Sequence, residues 1–243
     1  MSGTVRLYVE QDLAPGQSVP LTRDQAHYLF GVMRLGPGGR VLLFNGRDGE
    51  MSSRVSEAGK RGGLLTVEAQ TRPLQEPPDL WLLFAPIKKA RTDFIVEKAA
   101  EMGAARICPV ATDFTNSDRI RLDRLQAHAV EAAEQCGGTF VPEVAPLQRL
   151  GQVLDHWPDG RRLMFCDETK ASEPSMFTGD PDGTASGWAI LIGPEGGFSA
   201  PERDRLTRLP FATSVSLGPR ILRADTAAVA ALTLWQTQIG DWL

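Results

Sequence analysis

The stretch Leu191-Ile192-Gly193-Pro194-Glu195-Gly196-Gly197-Phe198 sets how the rest of the chain is read. An apolar run stops at Gly-Pro, an acid follows, and Gly-Gly comes next. This pattern predicts a buried strand ending in a tight turn that exposes backbone groups, with a helix soon after. A second unit of the same kind is Val215-Ser216-Leu217-Gly218-Pro219-Arg220-Ile221-Leu222-Arg223-Ala224-Asp225-Thr226. A third strand end, Phe165-Cys166-Asp167-Glu168, joins them. In open α/β sheets ligands bind beyond the carboxyl ends of the strands, so these three ends predict one small-molecule site. Glycine lets the backbone approach a ligand closely, and Ile192, Leu217, Ile221 and Leu222 offer an apolar slot for a flat ring.

Around these motifs, residues 79–243 alternate between strand and helix patterns. Strands are expected at Leu80–Ala85, Ile107–Val110, Leu163–Cys166, Trp188–Ile192 and Thr213–Leu217. Helices are expected at Arg91–Met102, Leu122–Gln135, Pro201–Thr207 and Thr226–Leu243. Ser199 is the expected cap of the third, with Pro201 in its first turn. Residues 171–187, rich in Ser, Gly, Pro and Thr, read as a loop. The alternation predicts a mostly parallel sheet covered on both faces.

The first 72 residues read differently. Short strands at Arg6–Val9, Arg40–Phe44, Glu50–Val55 and Gly63–Ala69 are separated by Asn45-Gly46, Asp48-Gly49 and Gly62-Gly63, which are hairpin signals. One short helix, Asp24–Leu29, opens on Thr22 or Asp24. A small β-barrel is the expected result. Pro73, Pro77 and Pro78 make 73–78 the linker, which gives domains at 1–72 and 79–243.

Composition and motif searches exclude several classes. Net charge is −4, which argues against a protein that coats nucleic acid by bulk charge. The barrel segment carries 9 Lys+Arg against 7 Asp+Glu, so a local basic surface is compatible with that total. Cys108, Cys136 and Cys166 are widely spaced and form neither a metal pair nor a disulfide framework, as expected in a reducing cytoplasm. No apolar run has membrane-helix length, and Met1–Glu10 does not read as a signal peptide. There is no P-loop, no dinucleotide fingerprint after a first strand, and no Gly-x-Ser-x-Gly elbow. His27, His128 and His156 are scattered, and no cluster has metal-ligand spacing, so no metal is expected.

The two glycine motifs closely resemble those of the RsmE family, bacterial 16S ribosomal RNA (uracil-N3) methyltransferases of the SPOUT class. Supporting pieces are His27 with Val32-Met33-Arg34 and Gly36, Leu43-Phe44-Asn45-Gly46, Lys88-Lys89, Glu97–Gly103, and Glu131–Gln135 with Val141-Pro142. The resemblance implies a PUA-like RNA-binding barrel, then a SPOUT domain whose C-terminal strands and helices form a trefoil knot. It implies S-adenosylmethionine as methyl donor and 16S ribosomal RNA of the small subunit as partner. It also implies a cytoplasmic homodimer packed through the C-terminal helix.

Carried over residue by residue, the donor site comprises Cys166, Ile192, Gly193, Pro194, Glu195, Gly196, Gly197, Leu217, Gly218, Ile221 and Leu222. Arg223 is the candidate for stabilising the uracil oxygens or a phosphate; the alternative is a salt bridge to Asp225 or Glu195. Glu195 is the candidate carboxylate for the donor or for proton acceptance, or else a cap on the following turn. Arg6, Arg34, Arg40, Lys88 and Lys89 are the candidate RNA contacts. Three departures stand out: Asp225 where the family has Glu, Cys136-Gly137-Gly138 in place of Ser-x-Arg, and Asp113-Phe114-Thr115-Asn116-Ser117 in place of a basic, Ser-containing segment. The rival readings are a SPOUT enzyme for another RNA nucleoside and a non-enzymatic RNA-binding module.

Overall fold

A computed structural model describes residues 4–117, 119–173, 177, 179, 183 and 185–242. Two compact units emerge, Met1–Glu76 with Ala133–Val141, and Pro77–Ala132 with Pro142–Leu243.

The first unit is a five-stranded sheet in the order β1-β3-β4-β5-β2. Its strands are β1 (Val5–Tyr8), β2 (Ser18–Pro20), β3 (Arg40–Phe44), β4 (Glu50–Gly59) and β5 (Gly62–Arg72). The Asn-Gly and Asp-Gly signals do close the β3–β4 hairpin. Asn45 accepts from the amides of Arg47 and Asp48, and Asp48 accepts from Leu13 N at 2.8 Å. That backbone bond, with the Asn45 amide, lowers the Asp48 pKa. Alternate residues fill one core, including Leu7, Val41, Leu43, Val55 and Leu65. The helix starts on Thr22 with a capping box to Gln25, but α1 (Arg23–Ala26) loosens at once into a π-helical stretch, His27–Val32. β2 has no sequence signal beyond its single buried Val19.

A buried carboxylate holds this unit together. Glu50 takes Arg6 Nε at 2.7 Å, Arg72 Nη2 at 2.6 Å and Thr71 Oγ1 at 2.8 Å. Both arginines also donate to backbone carbonyls. Arg6 reaches Ala133, Glu134 and Gly138, and Arg72 reaches Gly137. The backbone carbonyls of Gly137 and Gly138, which residues of any type would offer, thus help to complete the barrel unit. Arg6, expected as an RNA contact, is corrected here: its side chain is only 12% exposed, lies over the Phe44 ring and commits four of its five N–H donors within this unit. Arg34 and Arg40 are exposed, and Arg34 has φ 56°, the one non-glycine positive φ among the described residues.

The second unit is a parallel sheet in the order β12-β10-β11-β6-β7-β8. The strands are β6 (Leu80–Phe84), β7 (Arg106–Ala111), β8 (Glu143–Val144), β9 (Gln148–Arg149, paired with β7), β10 (Arg161–Cys166), β11 (Gly187–Ile192) and β12 (Ala212–Val215). The helices are α2 (Lys89–Glu101), α3 (Leu122–Cys136, of which the residues up to Ala132 belong to this unit), α4 (Leu150–Asp155), α5 (Ala200–Arg208) and α6 (Ala224–Gln236). β11 is buried at every position, as the unbroken apolar run predicts for a strand covered on both faces. One face, with Leu83, Leu163, Phe165, Ala189 and Leu191, meets Leu150 and Leu154 of α4 and Leu206 of α5. α6 packs on α2 and β11. Ser199 and Glu202 form the capping box that starts α5.

β8, β9 and α4 carry no sequence signal, because two-residue strands and a six-residue helix are too short to show a period. One expectation is corrected. The final helix ends at Gln236 and does not continue to Leu243. The wholly buried Gln236 side chain donates to Met102 O at 2.7 Å and accepts from Asp241 N at 3.0 Å, so the chain folds back over it. Much of the expected 171–187 loop lies outside the described residues.

Burial alone would raise the Glu50 carboxyl, but hydrogen bonds from Arg72, Arg6 and Thr71 outweigh it and hold the pKa at about 2. The stability this group supplies is therefore full above its ordinary pKa of 4.5 and is lost as pH falls toward about 2. Glu50→Gln leaves the buried Arg6 guanidinium without its counter-charge and the partly exposed Arg72 without its partner, and should cost roughly 3 kcal/mol, with the acid dependence between those pH values flattened. Urea denaturation followed across pH measures both effects.

Candidate functional site

Because every strand pair of the second sheet is parallel, the turns after β10, β11 and β12 leave from one edge. They enclose a cavity of about 450 Å³, in the size range of small-ligand sites. The β10 turn contributes Cys166, Asp167 and Glu168. The β11 turn contributes Ile192, Gly193, Pro194, Glu195 and Gly197, and the β12 segment contributes Leu217, Gly218, Ile221, Leu222 and Arg223. Lys88 and Arg91, at the start of α2, complete the mouth.

Ten of the eleven expected donor-site residues thus share one wall, with both proposed catalytic residues among the lining groups. Gly196 is the exception: it is exposed, and its open face meets the Phe114 side chain. Lys89 lies in the first turn of α2 and is exposed, without lining the cavity.

The glycines are fixed for different reasons. At Gly193 a Cβ would lie 2.6 Å from the Phe198 ring, which itself packs edge-on against Phe165. Gly197 has φ 70°, and a Cβ there would lie 2.2 Å from Glu168 Oε1. Gly218 has φ 109° with nothing within 4 Å, so its requirement is purely conformational.

Two arginines fix the turns to one another. Arg203, on α5, reaches Glu168 Oε1 at 2.7 Å, Asp167 Oδ1 at 3.3 Å and Phe198 O at 3.2 Å. It ties the β10 turn to the β11 turn. Arg91 reaches Glu195 Oε1 at 3.1 Å and Asp225 Oδ2 at 3.7 Å, tying the β11 turn to the start of α6. The alternative reading of Arg223 as the partner of Asp225 or Glu195 is corrected: Arg91 takes both acids. Arg223 is the N-cap residue of α6, exposed, with no ion pair among the described residues. Arg91 and Arg203 had no sequence signal beyond charge on a helix, because their partners lie far along the chain.

Burial pushes the Cys166 thiol up, so it stays neutral and serves as an apolar wall. None of the three histidines lines the cavity. His128 sits between Glu97 (2.8 Å) and Asp93 (3.6 Å), and His156 Nδ1 lies 3.0 Å from Gln152 O. Among the described residues no group of three or more His, Cys, Asp or Glu could hold a metal, and no helix is long and apolar enough to cross a membrane.

A family profile described as an RNA methyltransferase domain matches residues 75–236, and one described as an RNA methyltransferase PUA domain matches residues 21–68. Ribosomal RNA small subunit methyltransferase E of Rickettsia conorii is 29% identical over 229 residues, covering 93% of each chain. The protein of that name from Bacillus subtilis is 28% identical, covering 97% of this chain and 99% of its own. The crystal structure of a ribosomal RNA small subunit methyltransferase E from Neisseria gonorrhoeae, bound to S-adenosyl methionine, superposes with a TM-score of 0.89. It has 27% identity and covers 99% of this chain and 100% of its own. A methyltransferase of Legionella pneumophila with bound cofactor SAM gives a TM-score of 0.86 at 28% identity, covering 98% and 99%.

The glycine geometry predicts unequal costs. Gly218→Ala should cost about 1–2 kcal/mol from backbone strain alone. Gly197→Ala adds a clash with the pinned Glu168 and should cost more than Gly218→Ala, by roughly 1–3 kcal/mol. Equilibrium urea denaturation of the two variants tests the order.

Proposed function

The chain belongs to the RNA methyltransferase family, and we propose that it transfers the methyl group of S-adenosylmethionine to N3 of a uridine in 16S ribosomal RNA. The observation that carries this reading is the three-turn cavity at the carboxyl edge of the sheet. Its lining suits the donor. Ile192, Leu217 and Leu222 flank a slot for a flat ring, the glycine turns bring backbone groups close, and Glu168 and Glu195 add carboxylates to a lining that would face a sulfonium. S-adenosylmethionine supplies a sulfonium-bound methyl group, which moves by in-line displacement.

The remaining work falls to the chain's own residues. Uracil N3 carries a proton and is a poor nucleophile until that proton leaves. Glu195 lines the cavity, is half exposed at its side chain, and is the carboxylate placed to accept it. Arg91 orients Glu195, and Asp225, although shorter than the family's usual Glu, still reaches that arginine from the other side. Arg223 has a free guanidinium at the cavity wall and stabilises the charge that spreads onto the uracil oxygens. Holding acceptor and donor in register accounts for much of the rate. Arg34 and Arg40 of the barrel unit, with Lys88 and Lys89, contact the RNA backbone. The enzyme acts in the cytoplasm as a homodimer through α6, with the C-terminal strands threaded as a trefoil knot.

Small ribosomal subunits from a strain lacking the enzyme, incubated with the protein and S-adenosylmethionine, should gain N3-methyluridine by mass spectrometry. A methyl group on another nucleoside, or no donor binding by calorimetry, overturns the reading. Glu195→Gln should lower kcat by about 10²–10⁴-fold while donor affinity stays within a few fold. Arg40→Ala should weaken binding of all RNAs alike and reduce the salt slope by about 1.

A further inference from the structure

We propose that Phe114 is the platform on which the target base stacks after leaving its helix, an inference that rests on the methyltransferase reading above. Phe114 is 48% exposed. It occupies the turn after β7, at the same carboxyl edge as the cavity.

The turn is locked without core packing. Thr115 N donates to Thr112 O at 3.1 Å, and Thr112 N donates to Thr115 Oγ1 at 2.9 Å. Asp113 N donates to Glu202 Oε1 at 2.9 Å, and Ser199 Oγ donates to Asp113 Oδ2 at 2.5 Å. The capping box of α5 therefore grips the residue next to Phe114.

The ring is also placed beside the chemistry. A Cβ on Gly196 would lie 3.4 Å from Phe114 Cβ and 3.8 Å from its Cγ and Cδ2. Gly196 joins Glu195 to Gly197, both of which line the cavity. An exposed aromatic side chain on a hydrogen-bonded turn thus lies beside the turn that carries Glu195. A pyrimidine cannot reach a small-molecule cavity while stacked in a helix, so it must be splayed out. Bases displaced in this way stack on exposed aromatic side chains. A ring held rigid beforehand binds with less ordering cost.

The test uses the full chain and two short RNAs, one with a single unpaired uridine and one with an abasic sugar at that position, by fluorescence anisotropy. The wild-type protein should prefer the uridine RNA by roughly 10-fold. Phe114→Leu, which keeps apolar bulk but has no ring face, should lose most of that preference, and Phe114→Trp should keep it. Affinity for S-adenosylmethionine by calorimetry should be unchanged in both variants. Undiminished preference in Phe114→Leu, or no preference in the wild type, overturns the inference. If preference follows the ring but treated subunits contain no N3-methyluridine, the assignment of the methylated position falls and the platform stands.

Discussion

Parallel pairing of β10, β11 and β12 is the constraint from which the site follows. In a parallel sheet each strand's carboxyl end faces the same way, and its backbone groups run out of ladder partners there together. Three turns must solve that problem at one edge. Glycine and proline solve it by exposing backbone and not covering it. A cavity whose lining includes exposed main chain at the turns is the outcome, and side chains must also hold those turns in register.

That holding falls to two guanidinium groups. Arg203 and Arg91 each bridge segments that the sheet brings close but does not bond. A guanidinium suits this role because its fork satisfies two acceptors at fixed angles, which an ammonium cannot do. Partial exposure keeps each single contact weak, and the value of these residues is geometric.

The elements that were legible in the sequence are those with long or distinctive signals. β11 reads as an unbroken apolar run, Ser199 reads as a helix cap, and the glycine motifs read as strand ends. The cavity wall followed from those turns almost residue by residue, with Gly196 the exception. What escaped was pairing between residues distant in sequence. Arg91 and Glu195 stand 104 positions apart, and Arg6 meets carbonyls 127 to 132 positions away. Such partners leave no local period, so Arg6 looked like any surface arginine. β8, β9 and α4 escaped because they are too short to show any period.

The Ala133–Val141 segment makes the barrel unit discontinuous along the chain. Its carbonyls receive Arg6 and Arg72, and Thr139 Oγ1 accepts from Gln75 N. A gene fragment ending in the proline-rich spacer would encode five strands in which Arg6 lacks three carbonyl acceptors and Arg72 lacks one. Recombination between relatives at that spacer would pair each barrel with a foreign closing segment. The unit inherited intact is therefore the whole chain, although the spacer looks like a natural place to cut.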